Sequence, residues 1–321
     1  MKMSNTRIRI FFASDIHGSD LCFKKFINAA DAYKCDVIIL GGDITGKFII
    51  PIFNRGGSYE FRTGNETYSV DSKDELEKHL YRIKASGSYP FITSKEEWQN
   101  LINEKEKLDE IFNDLIIESI QGWVEFAERK LAGKRVKCLV MPGNDDSYVI
   151  DPVLNSSEVI INPNEKVIQI SDRLEVLSLG YSNITPWKCP RDIPEEEIES
   201  KMASLVSRVD AGAEVIYNIH VPPFDSGIDY APELDDDLRP RVGPGGQLLM
   251  TPVGSRAVRK YIETYQPLLG LHGHVHEGRG FSRIGRTMCF NPGSEYHEGI
   301  LRGVLIQLEK NKVKDYIFTA G

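Results

Sequence analysis

Three of the seven histidines of this 321-residue chain, His272, His274 and His276, fall within five positions. They follow an apolar run, residues 267–271, that predicts a buried strand, and Glu277-Gly278 comes next, where a turn is expected. His274 and His276 are two residues apart and therefore lie on one side of an extended backbone. Neutral imidazole is the commonest metal ligand. The stretch predicts metal ligands at a strand end; the alternative is a polar loop with chance histidines.

Four other apolar runs, residues 8–13, 37–40, 136–140 and 214–219, also end in groups that can bind a metal. These groups are Asp15 with His17, Asp43, Asn144 with Asp145, and His220. Each of these groups alone is weak evidence for a metal site, because Asp43 could cap a turn and Asn144 is a good turn residue. Ligands of open α/β sheets bind beyond the carboxyl ends of the strands. Five such groups, in order and each at a strand end, predict a single site.

The order of the predicted elements indicates an α/β protein. The first two strands are apolar throughout and are separated by a predicted helix, which is typical of a parallel sheet covered on both faces. One hundred residues then separate Asp43 from Gly143, whereas a parallel crossover needs about a dozen. We therefore expect a mostly helical insertion at about residues 47–134.

Within this insertion, a hairpin is predicted around Gly64-Asn65, and capping boxes at Ser72 and Ser94 predict two helices. The second helix is expected to run without a break to near Gly133, and His79 is expected on a helix surface. The tail predicts another hairpin that turns at Asn311-Lys312.

Composition narrows the function classes. Hydrophobic content of 41% and charged content of 27% are ordinary for a soluble globular protein. A net charge of −8 without a dense Lys/Arg block argues against nucleic acid and anionic membranes as partners. Residues 1–7 lack the pattern of a signal peptide, and no stretch predicts a membrane span. Five scattered cysteines predict reduced thiols and a cytoplasmic location.

The ordered motifs resemble the signature of the calcineurin-like metallophosphoesterases, which runs Asp-x-His, Gly-Asp, Gly-Asn-His-(Asp/Glu), His and Gly-His-x-His. This chain has Asp15-Ile16-His17, Gly42-Asp43, Gly143-Asn144-Asp145-Asp146, His220 and Gly273-His274-Val275-His276. The resemblance covers about residues 7–320 apart from the insertion. It implies a four-layer α/β/β/α sandwich of two mixed sheets. It also implies a single domain over residues 1–321, interrupted by the insertion.

The resemblance implies a site for two divalent transition-metal ions. One ion would be held by Asp15, His17 and His276, the other by Asn144, His220 and His274, and Asp43 would bridge them. Mixed nitrogen and oxygen ligands suit manganese, iron, zinc or cobalt, and the choice among them stays open. Such a pair activates a hydroxide for attack on phosphorus.

The implied activity is that of a hydrolase acting on a small phosphorylated substrate: a phosphodiester, a pyrophosphate or an activated phosphomonoester. The alternative is a metal-bound scaffold without catalysis that serves protein interaction. The complete ligand set favours the enzyme, and a phosphodiesterase or pyrophosphatase in particular.

Asp145 departs from the family motif, which has a histidine that assists the leaving group. Three interpretations remain. Asp145 acts as the acid with a raised pKa, His272 serves instead, or the substrate has a good leaving group and needs no acid. Asn144, Arg239 and Arg241 are candidates for substrate contact, although the two arginines also suit a solvated loop. The insertion is expected to cap the cleft or to mediate self-association.

Overall fold

The computed structural model describes residues 7–310 and 312–321. Its strands are β1 (Arg7–Ala13), β2 (Val37–Leu40), β3 (Phe48–Asn54), β4 (Tyr59–Thr63), β5 (Glu66–Val70), β6 (Ser88–Thr93), β7 (Lys137–Val140), β8 (Ile160–Ile161), β9 (Lys166–Ser171), β10 (Leu174–Leu179), β11 (Ser182–Asn183), β12 (Asp192–Ile193), β13 (Glu214–Ile219), β14 (Tyr230–Pro232), β15 (Met250–Pro252), β16 (Leu269–Leu271), β17 (Gly280–Ile284), β18 (Thr287–Asn291), β19 (Arg302–Glu309) and β20 (Lys312–Ala320). The helices are α1 (Asp20–Ala32), α2 (Lys73–Ala85), α3 (Lys95–Asn103), α4 (Lys105–Leu131), α5 (Asp151–Asn155), α6 (Glu195–Val206) and α7 (Arg256–Tyr265).

Two mixed six-stranded sheets form the body of the molecule. The first has the order β20-β19-β1-β2-β7-β8, and the second has the order β17-β18-β16-β13-β10-β9. In the first sheet β1, β2, β7 and β8 are parallel, and β19 and β20 are antiparallel. In the second, β10, β13, β16 and β18 are parallel. Parallel neighbours bring their carboxyl ends to the same edge, so each sheet gathers its loops there.

Three hydrophobic cores separate four layers. The core between the two sheets contains Phe12, Ile39 and Phe290, all without exposed surface. Helices α1 and α4 cover the outer face of the first sheet, and helices α6 and α7 cover that of the second. The near-continuous apolar strands follow from this burial on both faces. The predicted α/β/β/α sandwich is confirmed.

The insertion contains a sheet of its own, with the order β5-β4-β3-β6. The predicted hairpin around Gly64-Asn65 is confirmed, because β4 pairs antiparallel with β5. Strands β3 and β6 were not predicted. A small core that includes Ile52 and Phe61 joins this sheet to α2. Residues 48–103 therefore form a substructure with its own hydrophobic contacts.

The prediction of one helix from Ser94 to near Gly133 is wrong, because Glu104 leaves the helical region with φ −115° and ψ 74°. Helix α3 is anchored to β6 by the Ser94–Glu97 capping box and buries no residue. Helix α4 instead packs on α1, where Trp123 stacks on Phe23 with ring centroids 4.3 Å apart. A single straight helix could not keep both attachments, and α4 belongs to the outer layer of the main sandwich.

At the end of the chain, β19 and β20 pair antiparallel and confirm the predicted tail hairpin. Asn311, at its predicted turn, lies outside the described residues. In the described parts of the chain, no helix has both the length and the apolar character needed to cross a membrane.

Candidate metal centre

The five predicted groups meet where the two sheets face each other. Asp15, Asp43 and Asn144 follow β1, β2 and β7 of the first sheet, whereas His220 and His274 follow β13 and β16 of the second. The loops are bonded to one another through their backbones. The amide of Asp15 donates to the Gly42 carbonyl at 2.9 Å, and the amide of Gly273 donates to the His220 carbonyl at 2.9 Å. The parallel order of the strands thus assembles residues that are far apart in sequence.

Four of the candidate ligands have left-handed backbone conformations. The φ angles are 57° at Asp15, 38° at His17, 50° at Asp43 and 68° at His274. A residue with a Cβ atom gives up roughly 1–2 kcal/mol in this region, and such strain clusters at functional sites. The strained backbone at four candidate ligands in one cluster is therefore typical of a functional site.

Two glycines allow the loops to approach this closely. A Cβ atom on Gly42, whose φ is 123°, would overlap the imidazole of His220. A Cβ atom on Gly273 would overlap the side chains of Ser14 and Asp15. The glycines of the Gly-Asp and Gly-His-x-His motifs are thus required by packing.

The first group consists of Asp15, His17 and His276, whose donor atoms lie within 4.8 Å of one another. Nε2 of His17 lies 3.0 Å from Nε2 of His276, and the latter lies 3.8 Å from Oδ1 of Asp15. Burial lowers the pKa of His17 well below its ordinary value, so this imidazole is neutral and can act as a ligand. Its Nδ1 is buried without a hydrogen-bond partner.

The second group consists of Asn144, His220 and His274. Oδ1 of Asn144 lies 3.1 Å from Nε2 of His220 and 2.9 Å from Nδ1 of His274. Ligand atoms that are each about 2.1 Å from one metal ion lie about 3 to 3.4 Å from one another. The spacing of these three atoms therefore suits a shared ion.

The carboxylate of Asp43 lies between the two groups. Its Oδ1 is 3.3 Å from Nε2 of His220, and its Oδ2 is 3.8 Å from Nε2 of His17. One carboxylate thus faces both sets of imidazoles, as a bridging ligand must. That Asp43 bridges two metal ions stays a prediction from the motifs.

The hydrogen bonding of His220 tests whether the residues fit a cation. Its Nδ1 lies 2.9 Å from the Gly41 carbonyl, which can only accept, so Nδ1 carries a proton. Nε2 then faces oxygen atoms of Asn144 and Asp43. A nitrogen lone pair facing oxygen lone pairs in a buried site requires a proton or a metal ion between them. The donor set therefore fits a transition metal.

The pKa values agree with this competition between proton and metal. Burial lowers the pKa of His220, but the carboxylate of Asp43 more than offsets it and the value rises to about 9. Burial and the neighbouring His220 lower the pKa of His274 to about 3. The site thus holds one proton-binding imidazole next to neutral ones, and a metal that binds there must displace that proton.

Lys47 and Asp145 border the open side of the site. Nζ of Lys47 lies 2.6 Å from Oδ2 of Asp145, and the two side chains are 41% and 23% exposed, whereas His220 is fully buried. Burial alone would lower the pKa of Lys47, but the pairing with Asp145 raises it above its ordinary value. Asp145 therefore lies beside the candidate ligands, with its Oδ2 3.8 Å from Nδ1 of His17, and forms an ion pair with Lys47.

The structure does not bring His272 into the site. Its ring is fully buried, and Nδ1 lies 2.8 Å from the carbonyl of Ile219 and 3.2 Å from that of Val221. Burial also lowers the pKa of His272 to about 4. Extended backbone would place His272 and His274 on one side, but β16 ends at Leu271 and His274 has a left-handed backbone, so the two side chains need not share a side. The structure therefore does not support His272 as a proton donor.

The two candidate arginines make ion pairs within their own loop. Arg239 pairs with Asp237 at 3.4 Å and Arg241 pairs with Glu233 at 2.9 Å, and all four residues belong to one exposed loop. These pairs agree with the alternative of a solvated loop, and a contact of either arginine with phosphate stays a prediction. His79 packs against the rings of Phe61 and Tyr68 in the insertion, as expected for a residue that is not a ligand.

Four residues that support the site were not predicted. Asp146 accepts hydrogen bonds from the amides of Ile44, Thr45 and Gly143, which fixes the Asp43 loop to the Asn144 loop. Asn291 donates to the carbonyls of Gly273 and Val275 and so fixes the histidine loop. Lys47 and Asp192 complete the set. Asp146 lies in the stretch Gly143-Asn144-Asp145-Asp146, and Asn291 begins the stretch Asn291-Pro292-Gly293-Ser294 at the end of a strand, so both could have been found from the sequence. No local pattern indicates Lys47 or Asp192.

No protein-family model matches the sequence. An uncharacterized protein of Methanocaldococcus jannaschii, MJ1162, is 30% identical over 159 residues, which are 49% of this chain and 64% of that protein. The match thus spans less than two thirds of that relative's length.

Two crystal structures resemble the whole chain. One is TT1561 of Thermus thermophilus, with a TM-score of 0.53 and 15% identity over 98% of this chain and 99% of that one. The other has a TM-score of 0.56 and 16% identity, with the same coverage. At this identity the likeness shows a shared fold. Together with the two-sheet sandwich described above, it shows that the chain shares the overall fold of these two proteins.

Proposed function

We propose that this protein is a metal-dependent phosphoesterase that hydrolyses a phosphodiester, a pyrophosphate or an activated phosphomonoester. The proposal depends above all on one observation, the meeting of Asn144, His220 and His274 donor atoms at 2.9–3.1 Å beside Asp43. Acceptor atoms converge there in a buried site and need a cation. A second set of donors, from the group that includes Asp15, faces the other oxygen of the same carboxylate.

In this proposal Asp15, His17 and His276 would hold one divalent ion, Asn144, His220 and His274 would hold the other, and Asp43 would serve both. When bound, such ions would supply Lewis acidity for a phosphoryl oxygen and for the activation of water. The protein supplies the buried, pre-formed ligand cage, and manganese is one of the metals that these donors suit.

The chain's own contribution at the open side is the ion pair of Lys47 and Asp145. The ammonium of Lys47 can contact a phosphoryl oxygen, while the carboxylate of Asp145 keeps it in place. An ionised carboxylate has no proton to donate, and it repels a doubly charged monoester more than a singly charged diester. The charge argument supports a diester over an alkyl monoester, and the lack of an acid supports substrates with a good leaving group, such as a pyrophosphate.

The insertion supports the cleft from one side. Its Ala85 carbonyl accepts a hydrogen bond from Ser19 at 2.5 Å, and its Tyr89 hydroxyl accepts one from the amide of Gly46 at 2.8 Å. These contacts reach the loops that carry His17 and Lys47. We therefore extend the proposal to the insertion as a wall of the substrate cleft, and favour this over self-association.

Hydrolysis assays with defined metals test the proposal. Purified protein loaded with Mn²⁺ is expected to hydrolyse bis(p-nitrophenyl) phosphate, and the Asp43→Asn variant is expected to be inactive. Parallel assays with p-nitrophenyl phosphate and inorganic pyrophosphate rank the three substrate classes. Two bound metal ions without hydrolysis of any phosphoester or pyrophosphate would reject the enzyme and favour a metal-bound scaffold.

A further inference from the structure

The side-chain amide of Asn144 can serve the metal centre in only one of its two orientations. Oδ1 must face His220 and His274, because the NH₂ group has no lone pair for a metal. Nδ2 donates to Oδ1 of Asp192 at 2.9 Å. A carboxylate only accepts hydrogen bonds, so Asp192 requires the NH₂ group on its own side. The orientation of Asn144 is therefore set from outside the ligand cage.

Asp192 is itself fixed by the loop that carries it. Its Oδ2 accepts hydrogen bonds from the amide of Thr185 at 3.0 Å, the hydroxyl of Thr185 at 2.5 Å and the amide of Cys189 at 2.9 Å. Three donors thus hold Oδ2 of Asp192, and Asn144 donates to its Oδ1. The carboxylate has no freedom to turn away from Asn144 without losing these bonds.

The neighbouring Arg191 fixes the backbone at Asn144 and directly after it. Its amide donates to the Asn144 carbonyl at 2.9 Å. Its guanidinium is 1% exposed and donates to the carbonyl of Asp146 and the carboxylate of Asp151, each at 2.9 Å. Residues 191 and 192 therefore hold the backbone and the side chain of Asn144 together.

The two ligand groups differ in this outer support. In the second group, Nδ1 of His220 donates to the Gly41 carbonyl and Nε2 of His274 lies 3.3 Å from the hydroxyl of Ser182. In the first group, Asp15 accepts from the amide of His274 at 2.9 Å, but Nδ1 of His17 is buried without a hydrogen-bond partner among the described residues. Outer hydrogen bonds orient ligands and strengthen metal binding. The histidines of the second group are thus better oriented than His17.

We propose that Asp192 is a positioning residue that holds the amide oxygen of Asn144 towards His220 and His274 and so sets how tightly this group retains its metal ion. The inference rests on the proposed function, because it takes these three residues as ligands of one ion. It adds a specific hydrogen bond on which the affinity depends.

The substitution Asp192→Asn separates this role from the loop structure. In the variant, the four groups that donate to Asp192 would face a side chain with only one oxygen. The three donors of Thr185 and Cys189 would keep their hydrogen bonds to that oxygen. Its NH₂ group would then face the NH₂ group of Asn144 and turn that amide over. We expect the variant to lose about one of two equivalents of Mn²⁺ on dialysis, with an affinity 10- to 100-fold weaker at that group.

A reciprocal exchange provides the rescue. In the double variant Asn144→Asp and Asp192→Asn, the NH₂ group introduced at position 192 would donate to the carboxylate introduced at position 144, which still presents an oxygen to the ion. We expect the double variant to recover the second equivalent of Mn²⁺. The control is Glu128→Gln, because the Glu128 carboxylate also accepts loop hydrogen bonds, from Ser157 and Glu158, but lies on α4. It is expected to bind two equivalents.

Metal analysis and Mn²⁺ titration calorimetry, with thermal unfolding as the check on folding, decide the question. Undiminished Mn²⁺ binding by Asp192→Asn would overturn the inference. Loss of metal that the double variant does not restore would also overturn it, since Asp192 would then act only through the loop. If the unaltered protein bound no Mn²⁺, the proposed function itself would fail.

Discussion

The ammonium nitrogen of Lys47 lies 2.6 Å from Oδ2 of Asp145, at the position where the family motif has a histidine. The loop after β2 thus places the ammonium group of Lys47 next to Asp145, the residue that departs from the motif. We expect Lys47→Met to lower kcat/KM for bis(p-nitrophenyl) phosphate about 10²-fold, because removal of one pre-organised donor to a developing negative charge typically costs about 10²- to 10³-fold.

Steady-state kinetics with metal analysis check this expectation. Lys24→Met is the matched control, because Lys24 is 40% exposed against 41% for Lys47 and also pairs with an aspartate, Asp20, at 3.9 Å. The control should keep the activity of the unaltered protein. Equal activity of the two variants, with metals bound in both, would show that Lys47 does not contact the substrate.

Replacement of Asp145 by histidine would restore the family motif. We expect Asp145→His to raise turnover of phenyl phosphate, whose leaving group is poorer than p-nitrophenolate, by about tenfold or more, because general-acid assistance is typically worth 10²- to 10⁴-fold. Asp145→Asn removes the charge without adding an acid and separates the two effects. No increase with Asp145→His, with both metals retained, would mean that protonation of the leaving group is not limiting.

Substitution of the shared residue Asp43 and of a residue from one group only should reduce the bound Mn²⁺ by different amounts. Asp43 faces both groups, so Asp43→Asn should reduce bound Mn²⁺ from two equivalents to less than one. His276 belongs to the first group only, and His276→Ala should leave about one equivalent. Elemental analysis after dialysis measures both. His297→Ala is the control, since His297 is 64% exposed and pairs only with Glu298. One equivalent lost in each of the first two variants would contradict the bridge.

The sequence predicted the ligands because each one follows an apolar strand directly. Strand order was not needed to recognise Asp15 or His274 as candidates, since a strand end and a motif are both local features. The four-layer fold followed from the family resemblance and from apolar strands that must be buried on both faces. These parts of the structure depend on patterns within about ten residues.

The residues that were missed depend on contacts between distant loops. Lys47 pairs with Asp145, and Asp192 orients Asn144, but neither pair has a signature in the chain. The break at Glu104 was missed for a similar reason, because the apolar stripe continues while the two helices attach to different elements. Arg239 and Arg241 were candidates by residue type alone, and in the structure they pair with acids of their own loop.

Gly87 is the point where the insertion meets the metal site. Its φ is 85°, and a Cβ atom there would overlap the carbonyl oxygen of His17. We expect Gly87→Ala to displace His17 and to lower both thermal stability and Mn²⁺ binding by the first group. Gly133 provides the control, because it also follows a helix with a positive φ, 72°, and has no atom within 4 Å of the added Cβ.

Gly133→Ala should therefore reduce the free energy of unfolding by only about 1–2 kcal/mol, the strain of a left-handed residue, and leave Mn²⁺ binding unchanged. Thermal unfolding and metal titration compare the two variants. Equal effects of both substitutions would mean that the contact between the insertion and His17 does not support the site.

His272 offers a test of whether the chain keeps a spare proton donor. Its Nδ1 donates to the carbonyls of Ile219 and Val221, and burial lowers its pKa to about 4, so the ring is neutral near pH 7. The side-chain NH₂ of asparagine can replace the Nδ1–H group. We expect His272→Asn to bind two equivalents of Mn²⁺ and to keep kcat within about threefold.

His272→Ala, which leaves both carbonyls without a donor, should lower the free energy of unfolding by about 1–3 kcal/mol more than His272→Asn. Chemical denaturation and steady-state kinetics measure the two effects. A 10²- to 10⁴-fold loss of kcat in His272→Asn, with metals bound and with a steeper loss for poorer leaving groups, would instead identify His272 as the acid that Asp145 does not supply.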